Sequence, residues 1–315
     1  MNTFKLFFLS ALLGSSHAFS PVKHHSPFYQ HTSSSALFSE KLSTRNSEGV
    51  ESSRRNFIKV AGSSIAAITF LSQPDNAFAA EGSSEKVLVI GGSGFVGKEV
   101  CKKLKELGID YIATSRDGRD GTIALDFSSP NINVEATVAD LAKDCTAVIS
   151  TVGAIGSSED VKTVNSGTGL AASGAKTAGV KNFVYISVAP EVRESVGGVD
   201  FFKNYMEGKA FSENAIKSNF PDSYTIVAPT FIYGGDSFGI NPPRVADGYG
   251  RLVEGLLSSP PFRAAASVSP GFIGVALEPP VKVTAVAGAC VAGALGKSQN
   301  ILDTYDEIVQ TSNLI

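Results

Sequence analysis

The sequence predicts a doubly wound α/β domain, a parallel sheet covered by helices on both faces. Three observations predict it. Apolar runs rich in Val and Ile alternate with helix-like stretches from Lys86 to Ala228. The first of these runs passes directly into a glycine-rich turn and then into a helical pattern. No repeat or internal linker interrupts the alternation.

In chain order, the strand-like runs are Lys86–Ile90, Tyr111–Thr114, Thr122–Leu125, Ala147–Val152, Phe183–Ser187 and Tyr224–Ala228. Between them lie the helical stretches Val96–Leu107, Val134–Lys143, Val161–Ala178 and Phe201–Ser218. Continuous apolar runs of this kind belong to strands buried on both faces, and a parallel sheet needs crossover helices to connect them. After Pro229 the pattern loosens into a Gly/Pro/Ser-rich stretch, Gly234–Pro280, which suggests a small C-terminal region on the substrate side. A last alanine-rich helix, Thr284–Leu295, is expected to pack on the sheet.

The residues before this domain read as addresses. Residues 1–18, MNTFKLFFLSALLGSSHA, hold a lysine, the apolar run Leu6–Leu13 and small residues up to Ala18. This is the pattern of a secretory signal peptide, with a run too short to span a bilayer. Residues 19–53 are rich in Ser, Thr and His and nearly acid-free until Glu40, like a plastid transit segment. Residues 54–79 open on Arg54 and Arg55, continue through apolar Val60–Leu71 and end in Ala77-Phe78-Ala79, a small-x-small cleavage pattern. They resemble a twin-arginine signal for the thylakoid lumen, so the mature domain is expected over 80–315, without a transmembrane span. Thylakoid-associated and stromal locations are the alternatives.

The whole chain has 27 Lys+Arg against 30 Asp+Glu, and the excess of acid lies after Ala80. An acidic domain without a basic block argues against nucleic acid as a partner, and none is expected. All four histidines (His17, His24, His25, His31) precede the domain. That excludes Ser-His-Asp hydrolysis and most zinc chemistry, and no metal site is expected. Cys101, Cys145 and Cys290 have no metal-ligand spacing, and Cys101 and Cys290 are expected as small buried apolar residues.

The turn reads Gly91-Gly92-Ser93-Gly94-Phe95-Val96-Gly97. Between a first strand and a first helix it forms a dinucleotide cradle. Gly91 makes the tight turn, Gly94 admits a pyrophosphate to the backbone, and Gly97 lets helix and strand pack closely. The helix N-terminus offers unpaired N–H groups to the phosphates. At the end of the second strand, Ser115 and Arg116, with Arg119 close behind, favour the 2′-phosphate of NADP(H) over NAD(H). Asp117 leaves NAD open, and Asp126 could accept from the adenine amino group.

Tyr205 and Lys209 stand four residues apart on the helix after the fifth strand, so both reach one face. A tyrosine acid/base with a reference pKa of about 10 gains from an adjacent ammonium. The glycine turn, VNSGTG at 164–169, VKNFVYIS at 180–187, YMEGK at 205–209 and Pro229-x-x-x-Tyr233-Gly234 follow one another. In that order they resemble the short-chain dehydrogenase/reductase superfamily over nearly all of residues 85–296. The chain looks most like its atypical branch, which includes the NADPH-holding accessory subunit of respiratory complex I, a coenzyme Q biosynthesis protein and plant chloroplast homologues.

The resemblance implies an NAD(P)-binding Rossmann fold, with Tyr205 as acid/base and Lys209 on the nicotinamide ribose. It adds Val152, Gly153 and Pro229 to the cofactor contacts and Ser187 to the catalytic set. In the sugar-epimerase members a catalytic serine directly precedes an alanine. Aligned without a gap, that slot here is Val188, with Ser187 one residue earlier. Two functions therefore stand open. One is an NADP-dependent oxidoreductase acting on a small carbonyl, isoprenoid or quinone-like substrate. The other is a non-catalytic, cofactor-bound assembly or scaffolding protein for a membrane complex.

Overall fold

A computed structural model describes residues 85–196, 198–235, 239–240, 243–244, 246–268 and 277–315. The address segments expected over 1–79 lie outside these residues, as does part of the Gly234–Pro280 stretch. The first half of the domain runs β1 (Lys86–Ile90), α1 (Phe95–Glu106), β2 (Asp110–Ser115), β3 (Ile123–Ala124), α2 (Val134–Ala142), β4 (Ala147–Ser150) and α3 (Glu159–Thr177). Next come β5 (Asn182–Ile186), α4 (Pro190–Val196), α5 (Asp200–Asn219), β6 (Tyr224–Val227) and β7 (Ile232–Tyr233). Then follow β8 (Gly239–Ile240), β9 (Pro243–Arg244), α6 (Asp247–Leu257) and α7 (Pro260–Val268). The last elements are β10 (Val281–Lys282), α8 (Val283–Ala294), β11 (Asn300–Leu302) and α9 (Tyr305–Ser312).

Seven strands form one sheet in the order β11-β6-β5-β4-β1-β2-β3, with parallel pairing throughout. The order reverses between β1 and β4, and ligands of open α/β sheets bind at such a switch point, beyond the carboxyl ends of the strands. The expected doubly wound α/β fold is what the chain adopts. Alternation along β1 shows why both faces are covered. Val87 and Val89 join Val100 and Leu104 of α1 and Val286 and Cys290 of α8 in one core. Leu88 and Ile90 join Val138 of α2 and Ala171 and Ala175 of α3 in the other. Each such side chain, fully buried, contributes roughly 1.5–3 kcal/mol of transfer free energy.

Glycines set how closely the helices on the second face approach. A Cβ on Gly174 of α3 would lie 2.2 Å from the Glu135 carbonyl oxygen of α2. One on Gly208 of α5 would lie 2.6 Å from the Asn165 Cβ of α3. Glycine inside a helix costs about 1 kcal/mol relative to alanine, and here the close backbone packing offsets that cost.

The structure differs from the sequence reading in four places. β4 ends at Ser150, so Thr151 and Val152 leave the sheet at its carboxyl end. A short helix, α4, stands between β5 and α5. The loosened stretch contains α6 and α7; Gly248, Gly250 and Gly255 diluted the signal of α6, and a Cβ on Gly250 would meet the Tyr233 ring at 2.3 Å. After α8, the three-residue β11 adds a seventh strand beside β6, and α9 closes the fold with a Thr304/Glu307 capping box. Cys290 is buried as expected, whereas Cys101 is half-buried. Among the described residues no helix is long and apolar enough to cross a membrane.

Gly174→Ala is expected to destabilise the full-length chain by about 1–3 kcal/mol, because backbone rather than a flexible side chain obstructs the new methyl. Gly248→Ala, with nothing within 4 Å, is the control and should be neutral or slightly stabilising. Urea unfolding checks both through the midpoint at constant slope.

Candidate functional site

The glycine turn is built from backbone alone. Gly91 holds φ at +88°, where a side chain is strained, and the Gly91 and Gly92 amides both donate to the Thr114 carbonyl, at 3.0 and 2.8 Å. That shared acceptor ties the turn to the end of β2. Gly94 caps α1 in extended conformation with no side-chain cap, and no acid stands in the first turn. A Cβ on Gly97 would fall 2.1 Å from the Gly91 carbonyl oxygen, so only glycine lets the helix start this close to the strand. Phe95 and Val96 occupy the first two helical positions, half-buried and buried respectively. No carboxylate of the helix's own first turn competes for its positive end.

Beside the turn lies a cavity of about 460 Å³, lined among others by Gly92, Ser93, Lys98, Lys102, Asp120 and Thr122. It sits against β2, away from Tyr205. Lys98 spans its rim to Asp120 at 3.0 Å. Ser115 is buried and accepts from Thr122 Oγ1 at 2.7 Å, while Arg116 is exposed. Arg119 Nε donates to Asp117 at 2.9 Å, so of the two arginines Arg119 is engaged within its own loop. Asp126 accepts from the Ser128 hydroxyl at 2.6 Å and the Ser128 amide at 2.9 Å. The hydroxyl bond from Ser128, with help from the Arg116 charge, holds its carboxyl below the usual range.

At the carboxyl ends of β4 and β5 stands a buried ammonium. Lys209 is 3 % exposed. Its Nζ donates to the Ile186 carbonyl at 2.8 Å and the Val152 carbonyl at 3.4 Å, and lies 4.6 Å from the Tyr185 ring centroid. A Cβ on Gly153 would approach that nitrogen to 3.2 Å. Burial pulls the lysine down to about 7, against the Glu213 charge that raises it. Tyr205, one turn earlier, is also buried, and its ring centroid lies 5.8 Å from the same nitrogen. Burial pushes its phenol up to about 12; the cation that opposes the shift is Arg193.

Ser187 donates its hydroxyl to Glu213, which also accepts from Arg193 Nη2 at 2.5 Å. Val188 instead packs in one apolar cluster with Tyr205 and Val161, bordered by Ile155, Val192 and Phe202. Pro229, buried beyond β6, accepts from the Ala189 amide at 3.4 Å. Asn165 of α3, absent from the sequence-derived set, is fully buried and donates to the carbonyls of Ala154 and Val161, both at 2.7 Å. It fixes the loop after β4 against α3. Its signal was the polar residue inside VNSGTG. Glu213 was missed as well, and its signal was its spacing of four residues from Lys209. The structure thus groups Tyr205, Lys209, Val152, Gly153 and Ser187 around the ends of β4 and β5. The turn, Ser115, Arg116 and Asp126 gather at the ends of β1, β2 and β3.

Residues 91–249 match the NAD(P)H-binding family model, just over half of the chain. The chain belongs to that family. A chloroplastic protein of Arabidopsis thaliana, described as uncharacterised, is 32% identical over 165 residues, 49% of this chain and 53% of that protein. The match thus spans about half the length of this curated relative. Among solved structures, the chain is similar to a dTDP-4-dehydrorhamnose reductase of Clostridium acetobutylicum. The TM-score is 0.45 at 18% identity, covering 73% of this chain and 80% of the other. It is also similar to a UDP-N-acetylglucosamine 4-epimerase of Bacillus cereus, with a TM-score of 0.47 at 14% identity, covering 72% and 83%.

The residues fit the dinucleotide that this family binds. The uncapped helix start and the close approach allowed at Gly94 suit a pyrophosphate, and the Lys209 ammonium at the strand ends suits a ribose. Lys209 should also leave a mark on stability. Its folded pKa near 7 lies below the ordinary lysine value of 10.5, so the unfolded chain binds more protons between those limits. Stability contributed by this position therefore rises as pH rises from 7 to 10. Relative to Lys209→Met, the native chain should gain on the order of a few kcal/mol across that window, read by urea unfolding at each pH.

Proposed function

We propose that the chain is an NADP(H)-linked oxidoreductase of the atypical short-chain dehydrogenase/reductase kind. Its substrate is a small apolar carbonyl, isoprenoid or quinone-like molecule, which it reduces. The observation that carries this reading is the buried Lys209 ammonium beside Tyr205, at the strand ends next to a dinucleotide turn. A lysine this deep is unfavourable for folding alone, and methionine would fill the same space.

When bound, the nicotinamide cofactor supplies the hydride. The rest falls to the chain. With its pKa near 12, Tyr205 is a neutral phenol at physiological pH and can give its proton to a carbonyl oxygen, so that C=O becomes CH–OH. Lys209 is placed to hold the ribose, and Arg193 is the cation that favours the phenolate left behind. Val161, Val188, Ile155, Val192 and Phe202 around Tyr205 keep water out and favour an apolar substrate. The quinone-like class is supported by the resemblance alone. Arg116, exposed at the end of β2, is the group proposed for the 2′-phosphate.

A second reading, the non-catalytic scaffold of a membrane complex, is favoured by one observation. The hydroxyl of Ser187 is engaged by Glu213, and Val188 takes the place beside Tyr205. As location we propose the plastid. The address segments support it, as does the relative described as chloroplastic. The twin-arginine pattern favours the thylakoid lumen, since that route carries folded proteins and would admit a domain already holding its dinucleotide.

Tyr205→Phe should abolish NADPH oxidation against a panel of quinones and apolar carbonyls while leaving the dinucleotide Kd within about twofold. Equal turnover in the variant would sink the oxidoreductase reading. Arg116→Ala should weaken NADPH binding at least tenfold, the loss of about 1.5–3 kcal/mol typical of a hydrogen bond to a charged group. NADH binding should be nearly unchanged, as read by calorimetry.

A further inference from the structure

The mechanism above leaves one half-buried carboxylate unused. Glu213 lies one helical turn beyond Lys209, so Tyr205, Lys209 and Glu213 succeed one another along a single face of α5. Its side chain is 14% exposed. One oxygen, Oε1, accepts from both the Ser187 hydroxyl at the end of β5 and the Arg193 guanidinium of α4. Among the described residues Glu213 forms no ion pair with Lys209. The ammonium is turned instead to the Ile186 and Val152 carbonyls.

The groups that face Lys209 come from every element around it. Tyr205 and Glu213 stand on α5, Arg193 on α4 and Tyr185 on β5. Asn165 of α3 is uncharged, and the loop after β4 presents the Val152 carbonyl. The cluster thus holds two cations and a single carboxylate. Carbonyls can solvate an ammonium but cannot cancel its charge, and a buried ammonium without an anion sheds its proton.

We propose that Glu213 is a positioning residue that keeps Lys209 protonated from a distance while clamping Ser187 and Arg193, and that Arg193 sets the opposite bias. This rests on the reading that Tyr205 and Lys209 form the reaction site. The geometry suits that purpose. A carboxylate in direct contact would capture the ammonium, whereas one engaged elsewhere leaves it aimed at the strand ends. Arg193, 30% exposed at the edge of the cluster, repels Lys209 and favours the phenolate of Tyr205. The two charges of one ion pair thereby tune neighbouring groups in opposite senses.

The test is an NMR titration of the full-length chain carrying ¹³Cε-labelled lysine, with the Lys209 signal assigned as the one lost in Lys209→Met. The native midpoint is expected near 7. Glu213→Gln should lower it by at least one pH unit, and Arg193→Gln should raise it. A role in packing alone would open the cluster in both variants and move both midpoints up towards an ordinary lysine. That result, or no movement with Glu213→Gln, overturns the proposal. Should Glu213→Gln fail to fold, Glu213→Asp and Ser187→Ala decide, since both keep the charge. Midpoints within half a unit of native support the proposal, and an upward shift in both overturns it. No turnover is needed for this readout, so inactivity of the native chain on every substrate would defeat the oxidoreductase reading and leave this one standing.

Discussion

A buried ammonium organises the Tyr205 side of the candidate site. Moving an unpaired cation out of water costs several kcal/mol even after the protein relaxes, and two carbonyls recover part of that. The surroundings of Lys209 are arranged to accept it. The last carbonyl of β5, Ile186, and that of Val152, two residues beyond β4, converge on Nζ. Gly153 leaves out the side chain that would crowd it, and the Tyr185 ring lies beneath it. Gly208 lets α5 approach α3 until Asn165 can tie the loop after β4 in place. Each of these features follows if the lysine must be there, and none is required by a parallel sheet as such.

The two halves of the site rest on different physics. The turn works through main-chain geometry, with glycines where a Cβ would collide and amides shared on a single carbonyl of β2. It carries little side-chain chemistry, and its partner is selected by charge at a helix end. The Tyr205 side works through a small set of charges in a dry surrounding, where each group shifts the others. One half can hold a phosphate in any open α/β sheet. The other has meaning only if a reacting group is brought to it.

The divide explains what could be read from the residues alone. Glycines at fixed spacing after an apolar strand have few uses, so the turn and the alternating core were legible from Lys86 to Ala228. The short tail strand β11 was not, because three residues that pair with a single neighbour leave no periodic signature. The helix that follows was missed as well, although Thr304-Tyr305-Asp306-Glu307 carries the capping-box spacing of a helix start. Helix α6 stayed hidden because Gly248, Gly250 and Gly255 lower its propensity, although only Gly250 is needed for packing. Among site residues, Tyr205 and Lys209 were visible as a pair. Asn165 and Glu213 left only faint local signals and Arg193 none, because the partners that give them a role at the site lie 11 to 26 residues away along the chain.

The direction of the chemistry also follows from the packing. Ser187 continues the alternation of β5 from Tyr185, and both side chains face α5. Val188 also reaches α5, nearer its start, in the apolar cluster around Tyr205. A tyrosine set among apolar groups keeps its proton, because the phenolate is the form that loses hydration. Such a residue is a better donor than acceptor at neutral pH, which favours the step that consumes a proton over the step that releases one. The cluster around it holds one more positive charge than negative, so the phenolate left after donation is the state those charges stabilise. On the proposed reading, in which a reduced dinucleotide lies at the turn, this arrangement favours reduction.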